Sequence, residues 1–145
     1  MKSYRICIFL LLLVLSVSCN PAPPASTLSL EGGWVRAMPP GMQMTAAYGI
    51  IINHGNSTVE IASFSSDSFA AVSLHLTTVE NGVSKMQQLP GLTQSAGTSS
   101  VLQPGGLHLM LMKPTKEIHP GDHIGLTLLT ASGEQYRFSL PVEAR

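Results

Sequence analysis

Residues Leu107–Lys113 read LHLMLMK, and their alternation decides the fold class. A β-strand turns successive side chains to opposite faces, so Leu107, Leu109 and Leu111 share one face while His108, Met110 and Met112 share the other. The leucine face is that of a buried strand. The opposite face carries an imidazole and two thioethers where solubility alone would call for Ser, Thr or Lys.

Working outward, short apolar or alternating segments recur between clusters of Gly, Pro, Asn and Ser, and amphipathic helix patterns are scarce. Strands are expected at Ser29–Arg36, Ala46–Asn53, Val59–Ser65, Val72–Val79, Val83–Leu89, Leu107–Lys113, Ile124–Thr130 and Gln135–Val142. Eight short strands in one chain of this length fit a single all-β domain, either a two-sheet sandwich or a Greek-key barrel. MPPGMQM, NHGNST, ENGV, QPGG, HPGD and ASGE supply turn residues between them. Pro90–Ser100, polar and built of small residues, is expected to be a long loop.

The first residues, MKSYRICIFLLLLVLSVSC, place Lys2 and Arg5 before an apolar run that gives way to small residues. This is the layout of a secretory signal, and the run is too short for a spanning helix. Residues 1–18 are therefore read as a signal peptide, 19–27 as a Pro-rich tether, and 28–145 as the folded domain. Leu15, Ser16, Val17 and Ser18 before Cys19 resemble a bacterial lipobox with its Leu one place further from the Cys than usual. Lipidation of Cys19 is expected, with ordinary cleavage after small residues as the alternative. Export implies the periplasm or the outer face of the membrane.

Without Lys2 and Arg5 the exported chain holds six basic against eight acidic side chains, so the clustered positive charge that nucleic acid requires is missing. The domain contains no cysteine, which excludes a disulfide framework, a thiolate zinc site and a blue-copper centre. Nothing in the sequence resembles a nucleophile elbow or a zincin motif, and no Asp or Glu neighbours the candidate histidines. A non-enzymatic role is expected. A purely adhesive sandwich would leave the His and Met alternation unexplained.

Asn81-Gly82 is a strong type I′ hairpin signal. A two-residue turn there sets Thr77 opposite Met86 and His75 opposite Gln88, so His75 and Met86 are diagonal neighbours on one face while Leu74 and Leu76 face the core. Two segments thus repeat one pattern: leucines inward, His and Met outward. Neutral imidazoles with thioethers suit a soft ion of low charge, Cu(I) before Zn(II), Mg(II) or Ca(II).

His75, ten residues, Met86, twenty-one residues, His108, one residue, Met110 reproduces the H(x10)M(x21)HxM spacing of the periplasmic copper chaperones called PCu(A)C, which the chain resembles from about Trp34 to Val142. WVRAMPPG, AAYGIIINHG, NGVSKM, PGGLHLMLM and GDHIGLTL carry the rest of the likeness. The resemblance implies a cupredoxin-like β-sandwich binding one Cu(I) through His75, Met86, His108 and Met110. It implies, further, a metallochaperone that delivers copper to the CuA centre of cytochrome c oxidase subunit II, sometimes alongside a Sco-type thiol protein; a monomer is expected. Copper storage or detoxification is the alternative. Leu76 departs from the Met or acidic residue that often follows the first His and is assigned to packing. LPVEAR offers no His- and Met-rich extension, so Cu(II) loading through a tail is not expected.

Three further features bear on the site. Met38, Met42 and Met44 make a methionine-dense loop, read first as loop packing and second as an auxiliary site or a way in. Met112 is a shielding or fifth-ligand candidate. Trp34 and Arg36 share a strand face, where Arg36 could raise the positive potential near Cu(I), although a core or edge Trp with a snorkelling Arg is the plainer reading. His54, His119 and His123 fall in or beside turns and are expected in solvent.

Overall fold

The computed structural model describes residues 27–145; the signal segment and all of the tether except Thr27 lie outside the described residues. Ten strands follow one another: β1 (Leu28–Arg36), β2 (Met44–Asn53), β3 (Val59–Ser66), β4 (Phe69–Glu80), β5 (Val83–Leu89), β6 (Leu92–Gln94), β7 (Ser99–Leu102), β8 (Leu107–Pro114), β9 (His123–Thr130) and β10 (Gln135–Glu143). All eight expected strands are present, with ends displaced by three residues at most.

The hydrogen-bonded order is β5-β4-β8-β2-β1-β10-β9-β3-β6, with β7 on β2 and a further β4–β3 pairing. That last pairing closes the sheet on itself, so the two layers expected of a sandwich are continuous around a barrel. All pairings are antiparallel except β1 with β10. Closure removes most of the free strand edge, and β5 and β6 remain as the outermost strands of the path.

Alternation fills the interior. Leu74 pairs with Leu109 across β4 and β8, Val72 with Leu111, and Ala47 with Leu109 across β2 and β8. Leu28, Val35, Ile51, Leu74, Leu109, Leu111, Ile124, Leu126, Leu128 and Leu140 are buried in one core. Burying each such side chain stabilises the fold by about 1.5–3 kcal/mol.

Pro90–Ser100, expected as a loop, instead contains β6 and the start of β7. The polar composition hides them because its side chains bond inward rather than to water. Asn53 is fully buried and donates from Nδ2 to the carbonyls of Ser57, Gln94 and Ser95, at 2.8, 3.0 and 3.2 Å. Gln94, also buried, donates to Thr98 Oγ1 at 2.8 Å and accepts from Ser100 Oγ at 2.6 Å.

The Asn81-Gly82 turn takes the form expected, with φ of 52° and 78° at its two central residues and Glu80 opposite Val83. The register it sets continues down the hairpin to Thr77↔Met86 and His75↔Gln88. The two faces of β8 should respond differently to substitution. Leu109→Ala is expected to lower unfolding free energy by about 2–5 kcal/mol, whereas Met110→Leu, on the outer face and nearly volume-conserving, should cost less than about 1.5 kcal/mol. Urea titrations of both variants measure the contrast, and equal losses would contradict the assigned faces.

Candidate metal centre

The outer face of the barrel across β4, β8 and β2 is built rung by rung from opposed residues. His75 stands directly opposite His108, Ser73 opposite Met110, and Ala71 opposite Met112; on the other side of β8, Ala46 faces Met110 and Met44 faces Met112. Directly opposed side chains lie on the same face about 5 Å apart. Met110 is therefore flanked by two small side chains, Ser73 and Ala46. Ala46 and Met110 line a cavity of about 380 Å³ together with Met86, His108 and residues of the β1–β2 loop.

The two imidazoles stack, with ring centroids 5.9 Å apart and planes inclined by 28°. His108 Nδ1 lies 2.9 Å from the Gly106 carbonyl. A carbonyl can only accept, so Nδ1 carries the proton in the neutral ring and Nε2 keeps its lone pair. His75 Nε2 lies 2.8 Å from Ser73 Oγ, while His75 Nδ1 is buried without a hydrogen-bond partner. With Nε2–H donating to the hydroxyl, Nδ1 holds an uncommitted lone pair in a protein interior, where an unpartnered polar atom costs about 1–3 kcal/mol. A metal ion would satisfy it.

Two positions differ from simple alternation. Strand alternation sends His108 outward to solvent, yet it is only 6% exposed. The turn Pro104–Gly106 folds over it, held by the Nδ1 bond and by Thr77 N–H donating to the Gly106 carbonyl at 3.1 Å. Met86, by contrast, is 55% exposed on outermost strand β5. The donor set thus has one deep imidazole and one thioether at the surface. His75 lines no part of the cavity wall itself and reaches the group through its contact with His108.

Arg36 lies over Tyr48, and the arginine over Trp34 is Arg145. The Arg36 guanidinium lies 5.4 Å from the Tyr48 ring centre, and Arg36 lines the cavity beside His108 and Met110. Trp34 is buried against Tyr48, with ring centroids 4.7 Å apart, and is capped by Arg145. A fixed positive charge in the wall opposes divalent cations more than monovalent ones. No Asp, Glu or Cys lines the cavity, and among the described residues no group of three or more His, Cys, Asp and Glu side chains converges. Hard ions therefore lack their usual oxygen ligands here, and a zinc ion would find imidazoles without the thiolates or carboxylates that commonly complete its shell.

Met38, Met42 and Met44, read first as loop packing, line this same cavity. Only Met38 also packs against the core. Met112 sits one rung further along β8 and outside the cavity lining. His54, His119 and His123 are exposed as expected. Ser73 and the Gly106 carbonyl escaped the sequence reading. For Ser73 a signal existed, since a hydroxyl two residues before a strand histidine shares its face.

The family model described as "Putative lipoprotein LpqE-like" matches residues 28–142. "Putative lipoprotein Lxx21020" of Leifsonia xyli subsp. xyli is 32% identical over 125 residues, covering 86% of this chain and 74% of that protein. "Uncharacterized protein RP573" of Rickettsia prowazekii is 30% identical over 84 residues, or 57% of this chain and 46% of that protein, so this match spans less than half of the relative. Among solved structures, the copper-bound PCuAC domain from PmoF2 superposes with a TM-score of 0.69 at 19% identity, over 83% of this chain and 95% of that one. The solution structure of Cu(I)-DR1885 from Deinococcus radiodurans gives 0.64 at 26% identity, over 88% and 84%. The barrel is the fold of PCuAC domains.

Burial, and secondarily the His108 imidazole opposite, hold the His75 pKa below its ordinary value of 6.5. The ring is thus neutral near pH 7 with a lone pair to offer. Because the unfolded chain takes up this proton more readily than the folded one, acidification favours unfolding. Metal-free protein should lose stability as pH falls from 6.5 to the lowered value and then level off for this group. His75→Gln should flatten that part of the profile, measured by denaturant midpoints at successive pH; an unchanged slope would contradict the assignment.

Proposed function

This chain belongs to the LpqE-like family and has the PCuAC fold, and on that premise we propose that it is an extracytoplasmic Cu(I) carrier. One ion is held by His75, Met86, His108 and Met110 and passed to a copper-accepting protein. The observation that carries this reading is a cavity lined by His108 and five thioethers, with no carboxylate or thiolate in its wall, and the His75 ring with its orphaned buried Nδ1 stacked on His108 behind it.

Four neutral donors keep the charge of the bound monovalent ion at +1, and thioethers favour Cu(I). Neutral ligands bind less tenaciously than thiolates, which suits cargo that must leave again. Met86 at the surface is the donor a recipient's ligand can displace first, while His108, pinned through Nδ1, keeps its geometry during the exchange. This asymmetry between a deep and a surface donor favours delivery over storage. The role requires no catalysis. We propose the CuA centre of cytochrome c oxidase subunit II as the recipient, with a Sco-type thiol protein as accessory, on the strength of the family resemblance. The lipoprotein descriptions of the family and of the Leifsonia relative support export and anchoring through Cys19.

X-ray absorption of the Cu(I)-loaded protein should count two sulfur and two nitrogen neighbours. His108→Ala and Met110→Ala should each weaken Cu(I) binding in chelator competition, and affinity surviving replacement of all four donors by Ala would end the assignment. Ser73→Ala should lower affinity by about tenfold through loss of ring orientation, at unchanged stoichiometry. A deletion strain with full oxidase activity under copper limitation would favour storage or detoxification instead.

A further inference from the structure

Five of the six methionines among residues 27–145 line one cavity: Met38, Met42, Met44, Met86 and Met110. The proposed carrier site uses two of them, and with His75 and His108 its four positions are filled. Three thioethers are left over in the same wall. Packing accounts for Met38 in part, since it touches the core, but Met42 and Met44 are 49% and 45% exposed. Half-exposed side chains contribute little burial to the fold, and a loop needing only solubility at these positions would not use Met.

The loop that carries them is held in shape. Met42 N–H donates to the Pro39 carbonyl at 3.2 Å across Pro40 and Gly41, whose φ of 83° suits glycine. Lys113 N–H donates to the Gln43 carbonyl at 2.8 Å, tying the loop to the end of β8, and Thr45 Oγ1 donates to the Arg36 carbonyl at 2.6 Å, closing its base. Proline restriction and these bonds lower the entropy that ligand convergence would cost. The carboxylate-free lining and the nearby Arg36 again select a soft, singly charged ion.

We infer that Met38, Met42 and Met44 form a second, all-thioether site for Cu(I), beside the carrier site and opening into the same cavity. Lacking imidazole and lying nearer solvent, it binds more weakly than the four-donor site. Its position makes it a station at which the ion rests while ligands exchange. This inference rests on the carrier reading for the occupancy of the first site.

The test uses protein labelled with ¹³C in its methionine methyl groups and titrated with Ag(I), a redox-inert stand-in for Cu(I). The first equivalent should shift the Met86 and Met110 methyls, and the second should shift those of Met38, Met42 and Met44. Replacing Met38, Met42 and Met44 together by Leu, a near-isosteric change, should abolish the second equivalent and leave the first at unchanged affinity. Methyls of Met38, Met42 and Met44 that stay fixed through two equivalents overturn the inference. So does their shifting together with Met86 and Met110 inside a single equivalent. If instead Met38, Met42 and Met44 respond while Met86 and Met110 do not, the second site stands and the carrier reading falls.

Discussion

The register of β8 between β4 and β2 is the constraint on which the molecule depends. Strand side chains have a period of two, so a slip of one residue would turn His108 and Met110 into the barrel and Leu109 and Leu111 out of it. Leu109 meets Leu74 on one side and Ala47 on the other, and these same contacts set His108 opposite His75 and Met110 between Ser73 and Ala46. The core therefore fixes the site without sharing atoms with it. The hydrophobic cost of a slip far exceeds anything the donor face could gain from it.

The chemistry of the outer face follows from what surrounds the donors as much as from the donors themselves. Small residues beside Met110 leave room for an ion, the Gly106 carbonyl chooses the tautomer of His108, and the Ser73 hydroxyl occupies the nitrogen of His75 that points away from the orphaned one. Arg36 adds a positive charge where a zinc or calcium site would place carboxylates. On the proposed carrier reading, these exclusions act together with the affinity of sulfur for copper to favour a soft monovalent ion.

Much of this was legible because it is local or periodic. Alternation in LHLMLMK and LHLTTV identified the two faces, and Asn81-Gly82 located the hairpin register that sets Met86 diagonal to His75. The donor spacing itself matched a known pattern. What stayed hidden depends on contacts between segments remote in the chain. The folding of Pro104–Gly106 over His108, the arrival of Met38, Met42 and Met44 in the same cavity, and the β3–β4 pairing that closes the barrel leave no periodic trace. Neither do β6 and β7, whose polar residues satisfy one another around the buried Asn53 and Gln94.

Separation of core from donor face also explains how a methionine-rich candidate site can sit on a surface. Exposed thioethers forgo the burial that methionine usually contributes, so the barrel must be stable without them, and its closed core of Leu, Ile and Val supplies that stability from the other side of the same strands. His108 is the exception. It lies on the outer face but is buried under the Pro104–Gly106 turn, which is held by the imidazole and by Thr77 N–H. With Nδ1 committed to the Gly106 carbonyl, which also accepts from Thr77 N–H, the imidazole is left to offer only Nε2.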